Sequence, residues 1–450
     1  MRRLSVFARK PPAEKPVTLD TEVAKAPTNL SHFLHLQKVN YLKAVEQGQS
    51  RQWTMVMGNE SGDLDSLASS IAYAWHATTA RQALTIPLIQ TSQADMSLRA
   101  ENLHALSLAG INPSKDLLYS DELPPFPTDK YVLVDHNRLG RRFIEASPNA
   151  RVVAVIDHHE DEGLYTQSAD PRMIVVPTGS CSSLVTRILS QASPDNLPAE
   201  LAKLLLCAIL IDTNGLKSGG KAETIDRESA ARLAVRSKIA DAHSPTKSVF
   251  AMSTSSRPTS PPQESSLQDL SVIQHLTAAL QMKKNSVAHL STRDLLRRDY
   301  KEYTWTPSWA PSSTIQVGLA SVPRSLKVWG PSESGFWSAI HGWVEERNLI
   351  VLGILTSFRD DSKIGSTKGK GKREMLWFIH EGDAELTSRL WKGLEQSKEL
   401  KVKSVDLRKY GGDGIPEGFA VRVYKQGNAD ATRKVTAPLV RSIIEGNETK

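Results

Sequence analysis

Four short stretches carry Asp, His or Asn directly after apolar runs in the first half of the chain. They are residues 58–66 (GNESGDLDS), 134–137 (VDHN), 156–159 (IDHH) and 211–213 (IDT). Burying an unpaired charge is expensive, so these residues are poorly suited to a core. Carboxylate oxygens and imidazole nitrogens are good ligands for divalent cations. The pattern therefore favours a metal-dependent phosphoester or phosphoanhydride hydrolase.

Hydrolysis of a phosphoanhydride bond needs an activated water and stabilisation of the negative charge on the leaving phosphate. Two cations about 3.5–4 Å apart supply both. Four carboxylates can balance the charge of two divalent ions: Asp63, Asp65, Asp135 and Asp212. His158 would add a neutral donor, and Asn59 could add a carbonyl oxygen. Each motif alone is weak, since a D-x-D pair is often a helix cap, but the ordered set is more specific.

Alternating strands and helices surround these motifs. The continuous apolar runs 130–134 and 151–156 are typical of strands buried on both faces. Helices are predicted over residues 31–46, 66–80, 98–108, 181–190 and 199–211. The alternation predicts an α/β domain with a doubly wound, mainly parallel sheet over residues 28–242. Motifs that follow strands of such a sheet meet at its carboxyl edge, whereas Asp212 would arrive from the end of a helix.

The remaining segments differ in composition. Residues 243–267 are rich in Ser, Thr and Pro, which predicts a linker or insertion. Residues 268–450 are predicted to form a second, smaller α+β accessory domain. Residues 1–27 are interpreted as a basic disordered tail, with a mitochondrial presequence as the alternative. The Lys/Gly-rich loop 362–373 is interpreted as a solvated surface excursion.

Composition limits the protein classes. The net charge of +7 favours anionic partners. Two cysteines, Cys181 and Cys207, do not form a disulfide framework, which fits a reducing compartment. The chain lacks a run of roughly 20 apolar residues that could span a bilayer. We therefore expect a cytoplasmic protein without membrane contact.

The ordered motifs resemble the DHH phosphoesterase superfamily, because Asp157-His158-His159 lies between upstream and downstream acidic motifs. In the related manganese-dependent inorganic pyrophosphatases, the first motif begins with a histidine, where this chain has Asn59. Five segments are instead similar to eukaryotic cytosolic exopolyphosphatases: 58–66, 179–184 (GSCSSL), 208–213 (AILIDT), 294–301 (DLLRRDYK) and 431–435 (ATRKV). The retained His159 argues against the prune-like branch.

The resemblance implies two divalent cations, with Mn²⁺ favoured over Mg²⁺ or Co²⁺. The implied metal ligands are Asp63, Asp65, Asp135, His158 and Asp212, with Asn59 as a further candidate. Asp157 would orient the neighbouring imidazoles. The implied substrate-facing residues are His159, which would contact phosphate or protonate the leaving group, Lys301, which would reach the substrate, and the phosphate-binding pair Arg433 and Lys434.

The implied substrate is inorganic polyphosphate, shortened from a chain end by a monomeric exopolyphosphatase. Metals on one domain and phosphate-binding cations on the other place the site in the cleft, where we expect closure over the substrate. Two alternatives remain at this point. One is hydrolysis of pyrophosphate or of a nucleotide phosphodiester. The other is a non-enzymatic polyanion- or RNA-binding protein, although no specific nucleic-acid module is recognisable.

Overall fold

The computed structural model describes residues 29–192, 196–239, 267–359, 371–380, 383–411 and 414–446, which form two α/β units. The predicted basic tail lies outside the described residues. So do nearly all of the predicted linker and most of the loop 362–373. Within the described part, no helix is long and apolar enough to cross a membrane.

The first unit is built on a six-stranded parallel sheet. Its strands are β1 (Thr54–Met57), β2 (Thr85–Ile89), β3 (Leu118–Tyr119), β4 (Lys130–Val134), β5 (Arg151–Asp157) and β6 (Arg172–Ile174). Their spatial order is β3-β2-β1-β4-β5-β6, and all neighbours pair in parallel. This confirms the predicted doubly wound sheet. The chain leaves β1 toward one edge and returns at β4 toward the other, so the switch point lies between these two strands.

Helices cover this sheet because successive strand residues enter two separate cores. In β4, for example, Val132 and Val134 belong to one apolar cluster, whereas Tyr131 and Leu133 belong to another. The helices of the first unit are α1 (Leu30–Glu46), α2 (Leu64–Arg81), α3 (Ala100–Leu108), α4 (Pro113–Asp116), α5 (Arg141–Ala146), α6 (Cys181–Ala192), α7 (Ala199–Asp212), α8 (Thr224–Arg236) and α9 (Ser271–Asn285). Helix α9 follows the predicted linker, yet Leu280 of this helix is buried in the core of the first unit.

The second unit contains a seven-stranded mixed sheet. Its strands are β7 (Tyr300–Trp305), β8 (Ile315–Val322), β9 (Val351–Thr356), β10 (Phe358–Arg359), β11 (Gly371–His380), β12 (Val402–Val405) and β13 (Phe419–Gln426). Six strands follow the order β12-β13-β11-β9-β8-β7, and β10 pairs with β11. Among the described strand pairs of this second sheet, only β8–β9 is parallel. A mixed sheet with helices matches the predicted α+β accessory domain.

Four helices accompany this second sheet: α10 (Thr292–Arg298), α11 (Phe336–Glu346), α12 (Ala384–Gln396) and α13 (Arg433–Glu445). Two local predictions differ from the structure. The sequence of residues 291–300 predicts one helix, but α10 ends at Arg298 and Tyr300 begins strand β7. The sequence also predicts a last helix over residues 437–444. It begins at Arg433, because Thr432 caps it by accepting a hydrogen bond from the backbone N–H of Lys434 at 3.3 Å.

Candidate metal centre

The first three motifs occupy loops at the carboxyl ends of the neighbouring strands β1, β4 and β5. After β1, the chain turns at Gly58 and enters α2. A Cβ atom on Gly58 would lie 2.4 Å from the Cβ of Ser66 and 2.8 Å from the carbonyl oxygen of Ser66. Only glycine permits this close approach of loop and helix. The turn places Asn59 beside Asp135, at the end of β4.

Asp135, His158 and His159 bring their ligand atoms within 4.8 Å of one another. They are the one such group of His, Cys, Asp or Glu side chains among the described residues. Nε2 of His158 lies 3.1 Å from Oδ1 of Asp135, and Nδ1 of His159 lies 3.7 Å from the same oxygen. Oδ2 of Asp65 lies 3.9 Å from Nε2 of His158. Carboxylates and imidazoles from three separate motifs therefore converge.

The surroundings of His158 fix which ring nitrogen is free. Nδ1 lies 3.0 Å from the carbonyl oxygen of Thr178, which can only accept, so Nδ1 donates. Nε2 of the neutral ring then directs its lone pair toward Asp135 and Asp65. Burial and the charge of Lys434 lower the pKa of His158. The hydrogen bond to Asp135 and the negative charges of Asp135 and Asp65 raise it more, to about 9.

Three electron-rich atoms that face one another need a positive charge between them. The raised pKa of His158 means that a proton can supply it. A divalent cation bound by Nε2 of His158, Oδ1 of Asp135 and Oδ2 of Asp65 would supply it with ordinary ligand types. The donor set therefore fits a metal ion.

Asp135 is held so that one oxygen faces the imidazoles. Its backbone has a φ of 62°, and its Oδ2 accepts hydrogen bonds from Nδ2 of Asn59 and Oγ of Ser66, both at 2.7 Å. Oδ1 is left to face His158. Burial alone would raise the pKa of Asp135, but the hydrogen bond from His158 and the charges of the two histidines and Lys434 hold it well below its usual range.

Asn59 was predicted as a metal ligand through its carbonyl oxygen. That oxygen accepts hydrogen bonds from the N–H of Ser61 at 3.0 Å and from Oγ of Ser61 at 2.6 Å. The amide nitrogen also donates to the backbone oxygen of Asp135 at 3.1 Å. Both ends of the side chain are thus occupied, and the observed contacts make Asn59 a support for Asp135.

Asp65 is only 1% exposed and is bound by the first turn of α6. Its Oδ1 accepts from the N–H of Ser182 at 2.8 Å and from the hydroxyls of Ser182 and Ser180 at 2.6 and 2.8 Å. Its Oδ2 accepts from the N–H of Cys181 at 2.7 Å. Burial and the neighbouring carboxylates raise the pKa of Asp65 to about 8. Because Oδ1 is saturated, Oδ2 is the atom that can bind a cation.

Asp63 and Asp212 lie at the margin of this cluster. Asp63 is half-buried and caps α2, because its Oδ1 accepts from the N–H of Ser66 at 3.0 Å. Asp212 is the last residue of α7, as the sequence predicted. Burial raises the pKa of Asp212, Lys284 opposes this rise, and Asp63 adds to it. The two carboxylates influence each other, but the described conformation does not gather them with His158 and His159.

Asp157 contacts both histidines of the triplet, but of the two imidazoles that it was predicted to orient it binds only that of His159. Its Oδ1 accepts from the N–H of His158 at 2.7 Å and from Nδ1 of His159 at 2.7 Å. Nδ2 of Asn137 donates to the other oxygen at 2.6 Å. Burial lowers the pKa of His159 to about 4 even though Asp157 opposes this. At neutral pH, His159 is therefore neutral and carries its proton on Nδ1.

The two predicted phosphate-binding residues of the second unit begin helix α13. Nζ of Lys434 lies 2.9 Å from Nε2 of His158, so this cation reaches the centre. Arg433 is 14% exposed and donates to Oδ1 of Asp299 at 2.7 Å. Lys301 lies on β7, where it pairs with Leu319, and its ammonium makes no ion pair or hydrogen bond with a side chain in the described ranges.

A lysine that sequence reasoning missed lies near Asp212. Gln281 of α9 donates to the backbone oxygen of Ile211 at 2.8 Å, so Lys284, one helical turn later, lies beside Asp212. The charge of Lys284 lowers the pKa of Asp212. The only sequence signal was a Lys-Lys pair at a helix end, which is common on protein surfaces. Its role depends on α9 packing against α7, and this packing joins segments far apart in sequence.

A second missed residue is Asp226 of α8, which is fully buried. It accepts hydrogen bonds from the N–H groups of Gly179 and Ser180 at 2.8 and 3.2 Å and from Oγ of Ser183 at 2.6 Å. A Cβ on Gly179 would lie 2.7 Å from Oδ2 of Asp226, which explains the glycine. Asp226 thus holds the loop that presents α6 to Asp65.

Comparison with known protein families identifies both units. The DHH family N-terminal domain matches residues 53–209, and the DHHA2 domain matches residues 278–443. The first match contains the motifs at Asp63, Asp135 and His158. The second contains Arg433 and Lys434. Together the two matches cover more than two thirds of the 450 residues.

Curated relatives resemble nearly the whole chain. A protein of Schizosaccharomyces pombe that is provisionally named an exopolyphosphatase is 28% identical over 423 residues, with 90% of this chain and 94% of the relative covered. Exopolyphosphatase PRUNE1 of Rattus norvegicus is 24% identical over 406 residues, with 88% of this chain and 76% of the relative covered. Similarity over the chain therefore includes the prune proteins, although His159 is retained here.

Pyrophosphatases resemble a shorter part of the sequence. A protein of Archaeoglobus fulgidus named a probable manganese-dependent inorganic pyrophosphatase is 28% identical over 194 residues, which cover 41% of this chain and 56% of that protein. A solved structure from Methanococcus jannaschii, described provisionally as a family II inorganic pyrophosphatase, superposes with a TM-score of 0.52 at 17% identity. It covers 87% of this chain and 99% of that chain. This likeness supports the two-unit fold.

The motif order, the parallel sheet with its carboxyl-edge cluster and the two domain matches agree with one another. The chain belongs to the DHH family, with a DHH domain followed by a DHHA2 domain.

Proposed function

We propose that this protein is a metal-dependent exopolyphosphatase that releases orthophosphate from the end of inorganic polyphosphate. The observation that carries the proposal is the contact between Lys434 and His158. It joins a cation of the second unit to an imidazole that faces two carboxylates of the first. Phosphoryl transfer requires metal ligands and phosphate-binding cations around one point. The names of the S. pombe and R. norvegicus relatives support polyphosphate as the substrate.

Asp65, Asp135 and His158 would hold one divalent cation, and Asp63 and Asp212 would help to hold a second. Manganese is the preferred choice, in keeping with the name of the A. fulgidus relative. Bound there, the ions would acidify a bridging water and polarise the phosphoryl oxygens.

The protein's own groups move the proton and bind the phosphate. His159 is neutral with its proton on Nδ1, so its Nε2 accepts hydrogen bonds or a proton from water or a protonated phosphate. Protonation of the leaving oxygen requires that His159 first gain this second proton. Lys434 and Arg433 then stabilise the charge that grows on the terminal phosphate.

Several phosphate units can be bound at once, because cations approach from more than one element. Lys434 comes from α13 and Lys284 from α9, and we place Lys284 among the substrate-facing residues. Only the terminal unit needs to meet the metal ligands, so orthophosphate should leave one unit at a time. Asn59 favours polyphosphate over pyrophosphate as the substrate. The family resemblance places a histidine at this position in the pyrophosphatases, whereas both ends of the Asn59 side chain are bound within this protein.

Hydrolysis of pyrophosphate is the second candidate. It is favoured by the resemblance of 41% of this chain to the A. fulgidus protein, which is named a probable manganese-dependent inorganic pyrophosphatase. The same ligand cluster could act on either substrate. The length of the phosphate chain that fits between the units decides between them. We further propose that the protein acts as a monomer in the cytoplasm.

The test is release of orthophosphate from long polyphosphate, tripolyphosphate, pyrophosphate and cyclic AMP. Each substrate is supplied with Mn²⁺, Mg²⁺, Co²⁺ or a chelator, and Asp135→Asn serves as the inactive control. We expect metal-dependent release that is fastest from polyphosphate, with long chains shortened gradually on a gel. Faster hydrolysis of pyrophosphate would favour the second candidate. Early fragments of intermediate length without orthophosphate would exclude attack at chain ends.

A further inference from the structure

One carboxylate at the junction of the two units lies between two arginines. Asp299 follows α10 and precedes β7. Nη2 of Arg433 donates to Oδ1 of Asp299 at 2.7 Å, and Nη1 of Arg433 donates to the backbone oxygen of Asp299 at 2.9 Å. On its other side, Oδ1 of Asp299 lies 4.0 Å from Nη2 of Arg99. Asp299 is therefore shared by an arginine of each unit.

The contacts of Arg433 leave one edge of its guanidinium available. A guanidinium has five N–H donors. Asp299 takes two of them, and the backbone oxygen of Leu319 lies 3.4 Å from Nη1 and takes a third. The Nε–H and the remaining Nη2–H make no hydrogen bond with any residue in the described ranges. These two parallel donors match two oxygens of a phosphate group.

Arg99 connects Asp299 to the loop of the first motif. Its side chain is 4% exposed, and its Nη2 donates to the backbone oxygen of Ser61. Nδ2 of Asn102 donates to the backbone oxygen of Gly62 at 2.9 Å. Ser61 and Gly62 lie between Asn59, which holds Asp135, and Asp63, which caps α2. A change in the position of Asp299 would therefore move both Arg433 and, through Arg99, the first-motif loop at Ser61.

Buried partners anchor this connection. Arg298, next to Asp299, donates to Oε1 of Glu101 at 2.7 Å and to the backbone oxygen of Leu98 at 2.8 Å. Nη1 of Arg99 lies 3.6 Å from the same oxygen of Glu101. Burial alone would raise the pKa of Asp299, but Arg433 and Arg99 hold it well below its usual range, so the carboxyl stays charged.

We propose that Asp299 is a positioning residue that directs the free edge of Arg433 toward the terminal phosphate and couples it, through Arg99, to the first-motif loop. This inference rests on the proposed function. Asp299 itself makes no contact with the substrate in this proposal. It affects turnover only through Arg433 and through the first-motif loop.

A double-mutant cycle tests the coupling. Asp299→Asn keeps the size of the side chain and removes its charge, and it should lower kcat for polyphosphate by roughly 10- to 100-fold, the cost of a small misplacement. In the Arg433→Ala background, the same substitution should lower kcat by much less. Equal losses of kcat in both backgrounds would overturn the proposal, because Asp299 would then act independently of Arg433.

Two further variants separate positioning from folding. Asp299→Glu retains the charge and should recover part of the lost kcat, whereas a purely steric role would make it as damaging as Asp299→Asn. The matched control Asp406→Asn removes a carboxylate from an exposed ion pair with Arg408 and should leave kcat unchanged. Circular dichroism and thermal unfolding of each variant show whether it folds.

A binding measurement keeps the test independent of turnover. A non-hydrolysable analogue of tripolyphosphate with Mn²⁺ should raise the melting temperature of the parent protein. Asp299→Asn and Arg433→Ala should each reduce this rise, and the double variant should reduce it no further than Arg433→Ala alone. An undiminished rise in Asp299→Asn would overturn the positioning role. Absence of phosphate release from the parent would instead overturn the proposed function, which is a different outcome.

Discussion

Nζ of Lys434 lies 2.9 Å from Nε2 of His158, although 276 positions separate the two residues in sequence. Because Nδ1 of His158 donates to Thr178, Nε2 is the nitrogen that faces the lysine, and it can accept a hydrogen bond from Lys434 only in the neutral ring. The described conformation therefore already has the DHHA2 domain against the candidate metal ligands of the DHH domain. The predicted closure would need only to adjust this contact.

Replacement of Lys434 by alanine should reduce kcat for phosphate release by roughly 100-fold or more, because a preorganised cation is removed from the transition state. Steady-state kinetics with polyphosphate at saturating Mn²⁺ measure the change. The matched control is Lys403→Ala, which removes an exposed lysine of β12 and should leave kcat intact. Equal activity of Lys434→Ala and the parent would contradict the proposed site.

Mn²⁺ should stabilise the folded protein through the carboxylates. At a free concentration 100 times its Kd, a ligand of the native state adds about 2.7 kcal/mol to the free energy of unfolding. We expect a rise in melting temperature that is lost in Asp135→Asn and kept in Asp129→Asn, which changes a carboxyl away from the cluster. A similar rise in all three proteins would place the metal elsewhere.

The affinity for Mn²⁺ should increase with pH between about 6 and 9. The pKa of His158 is raised to about 9 and that of Asp65 to about 8, so both groups carry protons that a cation must displace. As the pH rises toward these values, fewer protons compete and binding tightens. Calorimetric titration at several pH values, in buffers of different ionisation enthalpy, measures the affinity and the protons released. An affinity that is independent of pH would contradict this assignment.

Asn59→Asp should make the folded protein depend on metal. The new carboxylate would lie about 2.7 Å from Oδ2 of Asp135, where the amide now donates. Two buried like charges repel, and we expect a loss of roughly 2–4 kcal/mol in chelator. Mn²⁺ should recover part of it. Thermal unfolding with and without Mn²⁺ tests this, with exposed Asn149→Asp as the control. Equal destabilisation with Mn²⁺ and with chelator would mean that a charge at position 59 does not interact with a bound metal ion.

The buried pair of Arg298 and Glu101 should matter more for stability than the exposed pair of Arg293 and Glu346 on the same helix. Removing one member of a buried pair costs about 3–5 kcal/mol, whereas an exposed pair contributes about 0–1 kcal/mol. Arg298→Met is therefore expected to unfold at much lower denaturant concentration than Arg293→Met. Similar midpoints for the two variants would show that the junction contributes little to folding.

The carboxyl-edge cluster could be predicted from sequence because each motif follows a strand of a parallel sheet. The ends of β1, β4 and β5 meet at one edge whatever the details of the loops. Asp65, Asp135 and His158 converge for this reason. The direction of each side chain could not be predicted in the same way.

Asn59 faces Ser61 and Asp135 because the chain turns tightly at Gly58. The hydrogen bonds of this turn depend on its exact backbone geometry, which the residue types alone do not indicate.

The partners at the junction were beyond sequence reasoning for a different reason. Lys284 and Asp299 acquire their neighbours when α9 and α10 pack against the first unit, and residues 240–266, which precede these helices, carry no periodic pattern to guide that packing. Lys301 was selected from a short motif and lies on β7, and its contact with the substrate stays a prediction. The start of α13 at Arg433 depends on the cap at Thr432, which is a weak signal on its own.

Helix α6 directs its N-terminus at two carboxyl groups of the protein itself, those of Asp65 and Asp226. The N–H groups of residues 179 and 180 bind Asp226, those of 181 and 182 bind Asp65, and that of 183 bonds to Ser180. In many α/β proteins, such a helix end binds the phosphate of a ligand directly. Here these donors are already occupied by two carboxyl groups of the protein. A phosphate that approaches this edge meets no free amide of α6 and must be recognised by long cationic side chains, whose reach can follow phosphate chains of different lengths.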